Sequence, residues 1–145
     1  MLLRELLARG VRFMIVGMSG ALIQGARGAT EDIDLWFENP SDARIAEAVR
    51  AAGGIWVSGT FGMTPPRIGG DALSERFDVV LTMSGLGSFE KEMANVVIEA
   101  VDGISLPVLS LERIAHSKRA AGRAKDRWAL TSIDDALAVR AATKK

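Results

Sequence analysis

The chain has 145 residues, enough for one compact domain with a sizeable core. Its 18 Lys and Arg balance 18 Asp and Glu, so net charge steers it toward neither nucleic acid nor a membrane surface. With no cysteine and one histidine, His116, the sequence excludes disulfide scaffolds, thiolate zinc sites, cysteine nucleophiles and multi-histidine metal centres.

Residues 2–9 predict a short helix with leucines at 2, 3, 6 and 7, closed by Gly10. Arg4 and Glu5 interrupt what would be the apolar core of a signal peptide, and no run of about 18 apolar residues follows, so a cytoplasmic protein that spans no membrane is expected. Val11–Val16 reads as a buried strand, and Ser19 as the cap of a short helix through Gln24. Residues 32–37 alternate, with Ile33, Leu35 and Phe37 on one face and Asp32, Asp34 and Trp36 on the other. A helix over 42–52 and a short strand over 55–57 come next, and then a Pro- and Gly-rich loop from Gly59 to Gly70. Arg76–Thr82 reads as a strand and Ser84–Ser88 as a break. The runs 95–101 and 104–109, split by Asp102-Gly103, give the clearest hairpin signal. Ser110 caps a helix to Ala121 that Gly122 closes, and a last helix covers about 124–141. Neither repeat nor linker is apparent, so residues 1–145 read as a single domain of mixed α+β class: a twisted mixed sheet with flanking helices and a C-terminal helix pair.

The chemistry-bearing segment is Thr30-Glu-Asp32-Ile-Asp34-Leu-Trp-Phe. Strand residues two apart share a face about 6–7 Å from each other, so Asp32 and Asp34 repel unless a cation lies between them. Hard cations such as Mg2+ or Mn2+ take such oxygen ligands and complete their shells with substrate phosphates. One strand–helix step upstream, Gly17-Met-Ser19-Gly20 turns into a helix start, where backbone N–H groups and the Ser19 hydroxyl are candidate phosphate donors. In the first C-terminal helix Leu111, Ile114, Ala115 and Lys118 share one stripe. A lysine there needs a partner or must snorkel outward. Asp126 lies on the inward stripe of the last helix with Leu130, Ile133 and Leu137, placed either to orient Lys118 or to favour the helix start. His116 and Arg119 read as surface residues, and Trp36 and Trp128 as packing residues.

Gly17-Met-Ser19, Gln24-Gly25, Thr30 and Asp32-Ile-Asp34 together resemble the signature of the nucleotidyltransferase superfamily, and within it the small minimal-type proteins related to AbiEii. The run Lys118…Gly122-Arg123-Ala-Lys125-Asp126 is similar to a basic segment of the same proteins. The resemblance implies a third carboxylate on a neighbouring strand, supplied here by Asp78. It also implies a divalent metal on Asp32, Asp34 and Asp78, and a nucleoside triphosphate held by Gly17, Ser19, Thr30, Lys118 and Arg123, assisted by Lys125. The activity implied is nucleotidyl transfer to an acceptor that the sequence does not specify, whether protein, tRNA end or small molecule, so nucleic acid enters only as acceptor. The chain departs from the pattern at Met18, where a second Gly or Ser is usual, and at Gly28, where an arginine is common. The alternative reading is an inactive binding module with a protein partner, one component of a toxin–antitoxin pair, using the N-terminal leucines and the hairpin as its partner surface.

Overall fold

A computed structural model describes residues 1–30, 32–59 and 66–143. Their elements in chain order are α1 (Leu2–Ala8), β1 (Phe13–Val16), α2 (Gly17–Ile23), β2 (Ile33–Phe37), α3 (Ala43–Ala51), β3 (Ile55–Val57), β4 (Arg67–Gly69), α4 (Asp71–Ser74), β5 (Phe77–Val80), α5 (Phe89–Glu92), β6 (Val96–Val101), β7 (Ile104–Leu109), α6 (Leu111–Ala121) and α7 (Ala124–Thr143). A single 3-10 turn, Met93–Asn95, links α5 to β6.

Five strands form one mixed sheet in the order β5-β2-β1-β7-β6, and β3 and β4 pair separately. β1 runs antiparallel to β2 and parallel to β7, and β2 runs parallel to β5. This is the α+β architecture expected from the sequence. β1 is buried along its whole length because both faces of the sheet are covered. Alternation divides its side chains: Phe13 and Ile15 join Leu35 and Phe37 against Leu2, Leu6, Ile45 and Val49 of α1 and α3. Met14 and Val16 join Trp36 on the other face, against Leu111 and Ile114 of α6, Ile133 of α7 and Phe89. Trp36 meets Phe89 edge-on at 5.7 Å, a favourable aromatic geometry. Asp34, two residues before Trp36, therefore faces the α6–α7 side.

The β6–β7 hairpin turns at Asp102 and Gly103, whose φ values of 48° and 79° mark the twist-matched two-residue turn that Asp-Gly favours. Ser110 accepts a hydrogen bond from the Arg113 amide as the cap of α6. Asp42 caps α3 in the same manner, through the Arg44 amide.

Four expectations are corrected. Arg67–Gly69 is a strand paired with β3, not part of a loop, because Ile68 is buried in the first core and sits opposite Trp56; residues 60–65 of that predicted loop lie outside the described residues. α2 begins at Gly17, so Ser19 is inside the helix and does not cap it. Leu2, Leu3 and Leu6 are core residues, so they form no partner surface. Trp128, expected to pack, stands on the outer side of α7 at 82% exposure. No helix among the described residues is long and apolar enough to cross a membrane.

Candidate functional site

Register brings the carboxylates together. On the parallel pair β2–β5, Asp34 lies directly beside Asp78, on the same face. Asp32 stands just before β2 and its carboxylate comes within hydrogen-bonding reach of Asp78. Burial raises the Asp34 carboxyl to a pKa of about 6, with the charges of Asp78 and Asp32 adding to the rise; Lys118 and Lys125 pull the other way. The Asp78 carboxyl is also raised, by desolvation and then by Asp32. Carboxyls raised in this way, by burial and by neighbouring acids, have the electrostatics of a site that favours positive charge.

Gly17 explains how Asp34 fits. It directly follows Val16, the last residue of β1, whose register partner on β2 is Asp34, and turns the chain with φ +64°. A Cβ at this position would collide with an Asp34 carboxylate oxygen. The glycine thus supplies both a left-handed turn and the space for the acid.

Ser19 is buried, and its hydroxyl is fully engaged: it donates to the Val16 carbonyl at 2.9 Å and accepts from the Asp34 amide at 3.1 Å. It therefore fixes the start of β2 against α2, and has no proton left for a phosphate. Gln24 is likewise architectural. Its amide donates to the Gly20 and Leu109 carbonyls and accepts from the Leu111 amide, tying α2 to the β7–α6 corner. Thr30 is exposed, and its hydroxyl donates to the Asp32 carbonyl, shaping the turn before β2.

A cavity of about 350 Å³ opens beside this group. Its wall runs from Gly17 through Thr82, Met83 and Ser84, which follow β5, to Ser117 and Lys118 on α6 and Arg123 at the α6–α7 junction. Lys118 and Arg123 are held there by one carboxylate. Asp126 has no exposed surface; one oxygen lies 3.2 Å from Lys118 Nζ and the other accepts from Arg123 Nε at 2.7 Å. Burial by itself would raise the Asp126 carboxyl. The bonds from Arg123 and Lys118 outweigh that and hold it below its ordinary value. The ammonium has three protons, so the pairing leaves Lys118 donors free to point into the cavity.

Of the residues singled out in the sequence, Asp32, Asp34 and Asp78 thus converge, and Gly17, Lys118 and Arg123 line the adjoining cavity. Ser19 and Thr30 serve the backbone. In the sequence Thr82 ends the expected strand and Ser84 opens the expected break, with Met83 between them, and the signal for this segment is its position immediately after the strand bearing Asp78. His116 is exposed and its Nε2 lies 3.1 Å from the Gly85 carbonyl, away from the carboxylates.

The donor set is all carboxylate oxygen, which fits a hard cation. Among the described residues no three acidic or histidine side chains are gathered closely enough to hold an ion unaided. The fit is that of an open site, in which substrate oxygens and water would complete the shell.

No protein-family profile matches the chain, and no curated protein sequence does. Solved structures do. The crystal structure of ANT(2'')-Ia in complex with adenylyl-2''-tobramycin aligns over 99% of this chain and 92% of its own, with a TM-score of 0.61 and 13% identity. The solution structure of the antibiotic-resistance factor ANT(2'')-Ia aligns over 99% and 87%, with a TM-score of 0.63 and 13% identity. At that identity the likeness establishes the fold, that of nucleotidyltransferases.

Proposed function

We propose that the chain is a metal-assisted nucleotidyltransferase that takes a nucleoside triphosphate in the 350 Å³ cavity and passes its nucleotidyl group to a hydroxyl acceptor. The observation that carries this reading is the pairing of Asp34 with Asp78 on parallel strands, with Asp34 against Gly17, which lines a cavity together with Lys118 and Arg123. Acid on one side and fixed cations on the other suit a triphosphate between them. Thr30 through Leu35, and the Lys118-to-Asp126 run, further support placing the chain with the small AbiEii-related proteins.

Asp32, Asp34 and Asp78 would hold the divalent ion, which when bound neutralises phosphate charge and orients the reacting oxygens. The remaining work falls to the chain itself. Lys118 and Arg123, fixed by Asp126, bind the β- and γ-phosphates and stabilise the negative charge that gathers on departing pyrophosphate. Thr82 and Ser84 offer hydroxyls to the nucleoside end, and Met83, with Ile114 behind it, offers an apolar surface to the base. The acceptor oxygen bonds to the α-phosphorus, the bond from that phosphorus to the α–β bridging oxygen breaks, and pyrophosphate leaves. The acceptor's proton passes to a carboxylate of the site.

Isothermal titration with each of the four ribonucleoside triphosphates, with and without magnesium, tests the reading. Magnesium-dependent binding is expected, and its loss in an Asp32→Ala/Asp34→Ala double variant. A well-folded protein that binds none of the four refutes it and leaves a binding module as the better account.

A further inference from the structure

The part of the cavity wall that follows β5 is a turn seated on α6. The Leu86 amide donates to the Met83 carbonyl at 3.2 Å, and Gly85 takes a left-handed φ of 72° that suits a glycine in such a turn. Gly85 lies close against α6: a Cβ there would come within 2.5 Å of the Ala120 Cβ and 3.5 Å of the His116 ring. The Gly85 carbonyl accepts a hydrogen bond from His116 Nε2 at 3.1 Å. A carbonyl only accepts, so Nε2 carries the proton.

Helix α6 therefore serves the cavity twice. Ile114, Ser117, Lys118 and Ala121 line it directly. His116 and Ala120, one helical turn apart, carry the turn whose Met83 and Ser84 also line it. The ends of that segment are anchored elsewhere. Val80 is paired with Trp36 in the sheet, and the Gly87 amide donates to buried Glu92, itself bound to Arg113. Between those anchors, the bond from His116 is the one side-chain hydrogen bond that residues 81–86 make among the described residues. Met83 and Leu86 pack in part against the core on the α6–α7 side, but Thr82, Ser84 and Gly85 are exposed. It is the tie to α6 that sets where Ser84 stands.

We infer that His116 is a positioning residue of the nucleotide site: by holding the Gly85 carbonyl it fixes the Met83–Leu86 turn, and with it the surface that meets the nucleoside. This rests on the nucleotidyltransferase reading for its ligand. It also divides that ligand in two, because Lys118 and Arg123 at the phosphate end are held by Asp126 and not by the turn.

The experiment titrates the intact protein, in magnesium, with the four ribonucleoside triphosphates and with inorganic tripolyphosphate, which keeps the phosphates and lacks the nucleoside. His116→Ala should weaken the best-bound nucleotide by about threefold to tenfold, the worth of one hydrogen bond, and leave tripolyphosphate affinity unchanged. His116→Gln, whose amide nitrogen reaches about as far as Nε2, should regain most of the loss. His116→Asn, with the shorter reach of Nδ1, should not. Amide spectra without ligand should confine the changes of His116→Ala to the turn and the adjoining part of α6, as proof of folding. Unchanged nucleotide affinity in that variant, an equal loss for nucleotide and tripolyphosphate, no rescue by glutamine, or a turn whose amides do not respond overturns the inference. A parent that binds tripolyphosphate as tightly as any nucleotide also overturns it, since the turn then contributes nothing. A parent that binds neither refutes the transferase reading itself, and the inference falls with it.

Discussion

Asp34 should make the metal-free protein less stable than it would be without the charge. Its carboxyl ionises at about 6 in the folded chain against an ordinary value of 3.8. The folded state therefore holds the proton more tightly than the unfolded state does. Stability from this group is complete below the unfolded value, declines as pH rises between the two, and is fully lost above the folded one. At about 1.4 kcal/mol for each tenfold in the ionisation constant, the loss above neutrality is about 3 kcal/mol. Asp34→Asn keeps the shape and removes the charge. Since a buried amide retains some desolvation cost, a net gain of about 1–3 kcal/mol is expected, seen as roughly 4–10 °C in Tm.

The assay is thermal unfolding of parent and variant in chelator, at about pH 8 and again at about pH 4, the ends of the window in which the charge develops. The gain should be present at the higher pH and largely absent at the lower. Magnesium and nucleotide should then reverse the order, raising the parent's Tm and leaving the variant's unchanged. A variant no more stable than the parent at the higher pH would refute the argument. So would an equal gain at both, since that would trace the effect to packing.

Other consequences can be checked alongside. Asp126→Ala strips a buried carboxylate from two cations and should destabilise the chain by about 3 kcal/mol; denaturant midpoints measure this, and nucleotide titration should show weaker binding in the same variant. Gly17→Ala forces a side chain into a left-handed turn and onto Asp34, so calorimetry should show a loss of at least about 1–2 kcal/mol, with nucleotide binding impaired as well. Arg113, then the Gly87 amide, holds the Glu92 carboxyl below its ordinary range against the opposing effect of burial. Its contribution is present above the unfolded value and is lost as pH falls through the folded one, so Glu92→Gln should flatten the acid limb of a stability–pH curve. Trp128→Ala, at a site 82% exposed, should change stability by less than about 0.5 kcal/mol by chemical denaturation.

Much of the architecture was legible because local chemistry and tertiary packing agree. Asp102-Gly103, Ser110 and Gly122 each dictate a backbone conformation by themselves, and the structure places turn, cap and stop at those residues. The alternation of Asp34 with Leu35 predicted an acidic face, and pairing confirms Asp34 and Asp78 as neighbours. What escaped the sequence was set by distant partners. Ser19 has the chemistry of a cap or a phosphate donor, and it is the start of α2 at Gly17 and the Val16 carbonyl taking its proton that decide it is neither. β4 is three residues ending in Gly69 and followed by Gly70, and its strand state depends on Trp56 and Ile68 meeting across the pair. Leu2 and Leu6 gave the helix but not its burial, which α3 provides.

The parallel register of β2 and β5 has a consequence for folding as well. Asp34 and Asp78 come from distant parts of the chain and sit side by side only when that one alignment is reached, since slipping either strand by one residue would send its acid to the opposite core and slipping it by two would carry it past its neighbour. Partly formed or misregistered molecules can be compact and carry ordinary helix content, yet they would present no acidic pair. Nucleotide binding would thus serve as a probe of register: counting occupied sites during refolding would report the fraction of chains in which β2 and β5 have paired in register, which bulk spectroscopy would miss.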